Sequence, residues 1–218
     1  MLFRSEVLTA TDKLRTEFIT NVAAELDGPV EAITSLANRM QGLQSQTTVR
    51  EIMAAANVLK TLIEDVRDLS SMEAGQQTLR LDSFDIRDVV NRVVIMTREA
   101  TKRAGINIAV ECPDGIGWMV GDAVRIKQTL FHVISGALKV LDGDTLALAV
   151  QRADGDKVVF SVRHKAKDGA QAPGLGVYLA QRIAELHGGA LDIKHDGAES
   201  LISCRLPAGS GQRAAARH

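Results

Sequence analysis

Few residues in this chain are of types and spacings that do chemistry. Gly174 and Gly176, on either side of Leu175, stand where a helix should begin. Glycines there can present backbone amides to a phosphate, because a helix start leaves unpaired N–H groups and a positive dipole end. The same run also serves as a tight strand-to-helix turn, and the motif alone leaves both readings open. The first of the five histidines is His132, so the first helix carries no imidazole. His187 falls in the last turn of a helix, where a cation suits the dipole. Cys112 and Cys204 lie far apart in apolar, strand-like runs. That placement fits small buried residues better than a disulfide framework or a metal site.

The elements that must position these residues follow from periodicity. Apolar residues at Val22, Leu26, Pro29, Ile33, Leu36, Met40 and Leu43 alternate steps of four and three, a heptad seam on a helix. Gly28 and Pro29 interrupt it, and because the seam keeps its phase across them a kink is expected rather than a break. After the polar residues 44–47 a second seam runs through Val49, Ile52, Ala56, Leu59, Ile63 and Val66, opened by Thr48 and Glu51 as a capping box. Two such helices form an antiparallel hairpin with one apolar face left over. A second copy of the chain would bury that face in a dimeric four-helix bundle.

Past Gly75 the pattern changes. Asp85 and Asp88 cap a helix over 86–104, Ile106 to Cys112 alternates as a strand, and Gly121 and Asp122 start a helix that reaches Val140. Strands at 145–152 and 157–164 turn on Asp154 and Gly155. A helix over 176–187 then ends on Gly188 and Gly189, which supply a left-handed cap. Strands at 190–195 and 201–206 complete an α+β sandwich with helices on one face of a mixed sheet. The expected organisation is therefore a helical hairpin over 1–73, a linker over 74–83, a sandwich domain over 84–207 and a disordered tail over 208–218.

Composition narrows the function classes. With 218 residues, 45% hydrophobic content, 24% charged residues and a net charge of -1, the chain has no bulk attraction for nucleic acid. No apolar run approaches the roughly 20 residues of a membrane span, since Asp142 and Asp144 interrupt the longest candidate. Glu6 and Asp12 interrupt the start before a signal peptide can form. A cytoplasmic setting is expected, with no membrane segment in the chain.

Four stretches carry a family likeness. Residues 18–30 (FITNVAAELDGPV) resemble the phospho-acceptor helix of bacterial sensor histidine kinases, and residues 65–75 (DVRDLSSMEAG) the close of their second dimerisation helix. Residues 121–141 (GDAVRIKQTLFHVISGALKVL) are similar to the helix bearing the family's asparagine box. Residues 174–189 (GLGVYLAQRIAELHGG) resemble its second glycine box and the helix that follows. The likeness covers nearly the whole chain in the family's order. It implies a homodimeric histidine-phosphotransfer hairpin followed by an ATPase sandwich of the gyrase type. In active members, ATP bound by the second phosphorylates a histidine on the first, and a response regulator's aspartate receives the phosphoryl group.

The resemblance also locates what is missing. The family's acceptor histidine falls at Ala24, whose methyl cannot take a phosphoryl group, so the neighbouring Glu25 has nothing to deprotonate. Gly28 stands where many members carry a polar residue that orients water for phosphatase action. The metal-binding asparagine falls at Gly136, and a second asparagine position one turn earlier is His132, a poor magnesium ligand. The adenine-binding aspartate corresponds to His164, with Ala166 in place of a glycine, and the lid is short, spanning only 165–173. Losing one charge-assisted hydrogen bond to adenine costs about 1.5–3 kcal/mol. Lys139, Gly174, Leu175 and Gly176 are what survives of the pocket.

The expectation is a catalytically impaired, histidine-kinase-like scaffold. It would dimerise through its hairpin and dock a response-regulator receiver domain or a partner histidine kinase in a phosphorelay. No metal or cofactor is expected, and ATP with magnesium enters only if the pocket is functional. The alternatives are an active kinase or phosphotransferase using an unrecognised acceptor or a partner's histidine, and a structural dimer with no relay partner. The chain is expected to be the C-terminal part of a longer protein with a sensory region ahead of it.

Overall fold

The computed structural model describes Val22 and residues 26–36, 46–167 and 174–209, and the chain divides into two compact units, Met1–Gln76 and Gln77–His218. The expected acceptor position Ala24 and its neighbour Glu25 lie outside the described residues, as does most of the lid.

In the first unit, helix α1 occupies residues 26–36 and stays helical through Gly28 and Pro29, so the chain is not broken there. Helix α2 spans Gln46–Glu73. Thr48 therefore lies inside the first turn of α2 and not at its cap, a correction to the expected capping box. The helix ends on Gly75, whose φ of 66° is the left-handed conformation a side chain would strain; the Gly75 N–H donates to the Met72 carbonyl at 3.0 Å.

The heptad period on α2 is as the sequence predicts, but its phase is not. Ala55, Leu62, Leu69 and Met72 are buried, together with Asp65, whereas Val49, Met53, Val58 and Ile63 are exposed. Val49, Met53 and Ile63 form an open apolar stripe away from the buried one, whereas Val58 shares the face of Ala55 and Leu62. None of the buried residues belongs to the expected seam, of which Val49, Ala56 and Ile63 are exposed and Ile52, Leu59 and Val66 are half-buried.

The second unit is built on a five-stranded sheet in the order β2-β4-β5-β7-β6. The strands are β2 (Asn107–Glu111), β4 (Leu141–Ala153), β5 (Lys157–Ala166), β6 (Ala190–Asp196) and β7 (Glu199–Pro207). Only β2 and β4 pair parallel; the other pairs are antiparallel. Helices α3 (Ile86–Ala104), α4 (Ala123–Val140) and α5 (Leu175–Leu186) supply the other half of the core. Along β5, Val158, Phe160 and Val162 are buried at the two-residue period of a sheet face. They join Ile126, Leu130, Val133 and Ile134 of α4 in one cluster.

Local signals set the boundaries. Asp85 caps α3 by accepting from the Arg87 N–H, and Gly105 closes it at φ 68°. Gly155 and Asp156 turn β4 into β5 with positive φ. After α5, Gly188 takes the left-handed conformation (φ 72°) and Gly189 does not. The second glycine has a different cause: a Cβ there would run into the Arg205 carbonyl oxygen and Leu206, so only glycine lets β6 start this close to β7.

Two corrections concern the edges of this unit. Strand β1 (Asp82–Asp85) begins inside the stretch read as linker and pairs antiparallel with β3 (Trp118–Gly121), a two-stranded element the alternation did not announce. Ala208, placed in the disordered tail, is buried. Its N–H donates to the Asp156 carbonyl and its carbonyl accepts from the Val120 N–H, both at 2.7 Å, which ties the chain end to β3 and to the β4–β5 turn. Residues 210–218 lie outside the described residues. Among the described residues no helix is long and apolar enough to cross a membrane.

Candidate functional site

Helix α4 places His132, Gly136 and Lys139 on one face, at spacings of four and three. The helix is held at its start by Asp122, whose carboxylate is bonded at both oxygens. Its Oδ1 accepts from the Val124 and Arg125 N–H groups at 3.1 Å, and its Oδ2 accepts from the Arg80 N–H at 3.0 Å. Burial alone would raise this carboxyl, but the backbone donors at Arg80, Arg125 and Val124 outweigh it, and the group lies below the ordinary carboxylate value.

The Asp122 N–H in turn donates to His187 Nε2 at 3.1 Å, while His187 Nδ1 lies 2.8 Å from the Ile183 carbonyl. Nε2 accepting and Nδ1 donating is the arrangement of a neutral imidazole. His187 therefore serves as a bond between the end of α5 and the start of α4, not as the helix-dipole cation the sequence suggested. The contact joins residues 65 apart in sequence, and no sequence signal announces it.

Helix α5 meets α4 along the candidate pocket. Gly174 precedes the helix with φ -71° and ψ 178°, extended backbone that any residue adopts, and its carbonyl accepts from the Val177 and Tyr178 N–H groups. Gly176 is a matter of contact: a Cβ there would lie 2.9 Å from His132 Nδ1, so the buried imidazole rests directly over its α-carbon. Gly136 mirrors this, since a Cβ there would lie 3.1 Å from Val177 Cγ2. Leu175 is buried at the first position of α5. The structure thus brings His132, Gly136, Leu175 and Gly176 together where the two helices touch. Lys139 is exposed in the last turn of α4, where its charge complements the helix dipole.

His164 sits on β5 between Leu146 of β4 and Ser200 of β7. It is only 3% exposed, and neither ring nitrogen has a hydrogen-bond partner. Burial, reinforced by His195 and opposed by Glu199, pushes the imidazole below its ordinary value. Gly28, in α1 of the first unit, is exposed.

Burial pushes the Cys204 thiol up to about 12. The Cys112 thiol is also raised, by burial and by Asp85 and Asp114 against the opposing Arg87. Neither is an activated nucleophile. Among the described residues no three His, Cys, Asp or Glu side chains converge as a metal site.

ATP with magnesium is what the family resemblance implies for this pocket. Magnesium needs hard oxygen ligands. The two α4 positions that would supply them offer a hydrogen at Gly136 and a buried imidazole at His132, both in contact with α5. At the position that the resemblance matches to the adenine-binding carboxylate stands the unpartnered ring of His164. The residues present do not fit the group.

No protein-family model matches the chain. It is similar to the sensor protein DivL of Caulobacter vibrioides, 29% identical over 94% of this chain and 29% of DivL. It is also similar to the histidine protein kinase DivJ of the same organism, 28% identical over 88% of this chain and 37% of DivJ. The chain thus spans well under half the length of these relatives. Among solved structures, the histidine kinase AdeS of Acinetobacter baumannii matches with a TM-score of 0.73 over 85% of this chain and 98% of that one, at 19% identity. The histidine kinase ThkA, in complex with the response regulator protein TrrA, matches with a TM-score of 0.64 over 94% of this chain and 64% of that one, at 18% identity.

Proposed function

We propose that this chain, whose relatives are sensor histidine kinases and whose fold is that of histidine kinase domains, is a catalytically impaired member that acts as a dimeric docking scaffold in a two-component phosphorelay. The observation that carries the reading is the face of α4. Gly136 and His132 stand where the family needs magnesium ligands, and neither supplies an oxygen. Ala24 at the acceptor position supports it from the sequence. Without a nucleophile in line with a metal-bound γ-phosphate, phosphoryl transfer has neither acceptor nor electrostatic help.

What remains is a surface. The open stripe of α2, Val49, Met53 and Ile63, together with Val30 of α1, leaves large apolar side chains in solvent. A homodimer through the hairpin would bury them. The partner in this reading is a receiver domain or an active histidine kinase in the cytoplasm. Sedimentation velocity should show a dimer for the wild-type chain. Ile63→Lys, by putting a charge into the open stripe that the dimer would cover, should weaken association at least about tenfold; an unchanged dimer would place the interface elsewhere.

The catalytic part of the reading is tested by incubation with radiolabelled ATP, alone and beside a related active kinase. No acid-labile label should remain on this chain. Retained label would instead support the alternative, a working phosphotransferase with an unrecognised acceptor. The docking part is tested by pull-down of receiver domains, and failure to retain any would favour a purely structural dimer.

A further inference from the structure

The geometry points to a nucleotide groove closed by the chain's own side chains, so that the loss of metal-nucleotide binding is steric as well as chemical. This rests on the reading of the pocket given above, and it deepens that reading at two contacts. A missing asparagine at Gly136 looks, from sequence, like a simple deletion that the reverse substitution would repair. The contact with α5 says otherwise. The first carbon of any side chain at 136 would already lie 3.1 Å from Val177 Cγ2, inside ordinary van der Waals separation, and three further heavy atoms of an asparagine must still be placed beyond it.

Val177 cannot easily yield. It is buried, its branched side chain is stiff at χ1, and its N–H is bonded to the Gly174 carbonyl in the first turn of α5. It directly follows the Gly174–Gly176 segment, which with Lys139 is what the family resemblance leaves intact. One turn earlier on α4, the His132 ring lies over Gly176, with Nδ1 2.9 Å from where a Cβ would stand. That ring covers the α-carbon of the residue whose amide would have to face a phosphate. The two glycines thus act as a pair of close contacts locking α4 to α5, and each makes room for a side chain of the other helix.

The test is a cycle of Gly136→Asn, Val177→Ala and the double variant, all in the full chain. Two readouts are followed: thermal unfolding, and titration with a fluorescent adenine nucleotide with and without magnesium. Gly136→Asn alone should show no magnesium-dependent gain in nucleotide affinity and should lower Tm by several degrees. In the Val177→Ala background the same substitution should cost markedly less Tm, because the obstructing methyl is gone.

Equal Tm losses in both backgrounds would overturn the steric lock. So would a magnesium-dependent gain of tenfold order from Gly136→Asn alone, while leaving the impaired-scaffold reading of the wild-type chain standing. Tight magnesium-dependent binding by the wild-type chain would instead sink that reading itself. The Tm cycle keeps the lock falsifiable even if no variant binds nucleotide.

Discussion

Replacing Asp122 by alanine is expected to lower the unfolding free energy of the second unit by about 3 kcal/mol, read by urea denaturation near neutral pH. The estimate follows from what the carboxylate holds. It accepts three backbone N–H groups, two from the first turn of α4 and one from Arg80, which precedes β1. A helix cap is worth about 0.5–2 kcal/mol, and a hydrogen bond to a charged group about 1.5–3 kcal/mol. Alanine leaves these donors without a partner in a site that is only 7% exposed.

The effect should also depend on pH in a defined direction. Although burial pushes this carboxyl up, the backbone donors bring it below its ordinary value of 3.8. A group depressed in the folded state stabilises above its unfolded pKa, and the contribution fades as pH falls through the folded value. The difference between wild type and Asp122→Ala should therefore be constant at neutral pH and shrink only in acid. Asp122→Asn, which keeps an acceptor but no charge, should fall between them and show a weaker acid dependence. A difference that shrinks already near pH 6 would assign the titration to another group.

Asp122 was legible as a helix start because a cap is a local signal, and the same holds for Asp85 before α3. Strands β4 to β7 were legible because their alternation is strong: Val158, Phe160 and Val162 are buried at every second position. Strands β1 and β3 were not. Each is four residues long, and β1 (DSFD) has no apolar alternation to betray it. On α2 the period was readable and the phase was not, because apolar residues occupy both the buried stripe and the open one. Periodicity alone cannot say which stripe the chain covers by itself.

The candidate pocket divides in the same way. That Gly136 offers no metal ligand follows from residue type, but that its bare α-carbon is filled by Val177 follows only from how α4 packs on α5. Gly176 was open to two readings from sequence, a phosphate cradle and a tight turn. The structure shows a further reason for a glycine there, the imidazole of His132. Ala208 was lost to the tail because its two bonds, to Asp156 and Val120, are made to remote segments and leave no local trace.

The second large effect concerns His164, where the expected result is a gain. A buried ring with neither nitrogen bonded forgoes the hydrogen bonds it makes to water when unfolded, at about 1–3 kcal/mol per unpartnered group. His164→Leu, similar in volume and apolar between Leu146 and Ser200, should therefore raise stability at neutral pH by about 2 kcal/mol. The larger signature is in pH. Burial and the neighbouring His195 hold the folded ring below its ordinary value of 6.5, against the pull of Glu199. As pH falls below about 6.5 the unfolded chain takes up a proton that the folded chain refuses, so wild-type stability declines there by up to about 1.4 kcal/mol per pH unit and is unaffected above it. His164→Leu removes this one proton from the balance, so the advantage of the variant should widen steadily from about pH 7 to about pH 5.5. Because His132, His187, His195 and His218 remain in both proteins, the variant-minus-wild-type difference reports the ring at 164 together with its coupling to His195. A difference that stays flat over that range would mean that His164 finds a partner or solvent. The position matching the family's adenine-binding carboxylate would then be a working polar site and not a sealed one.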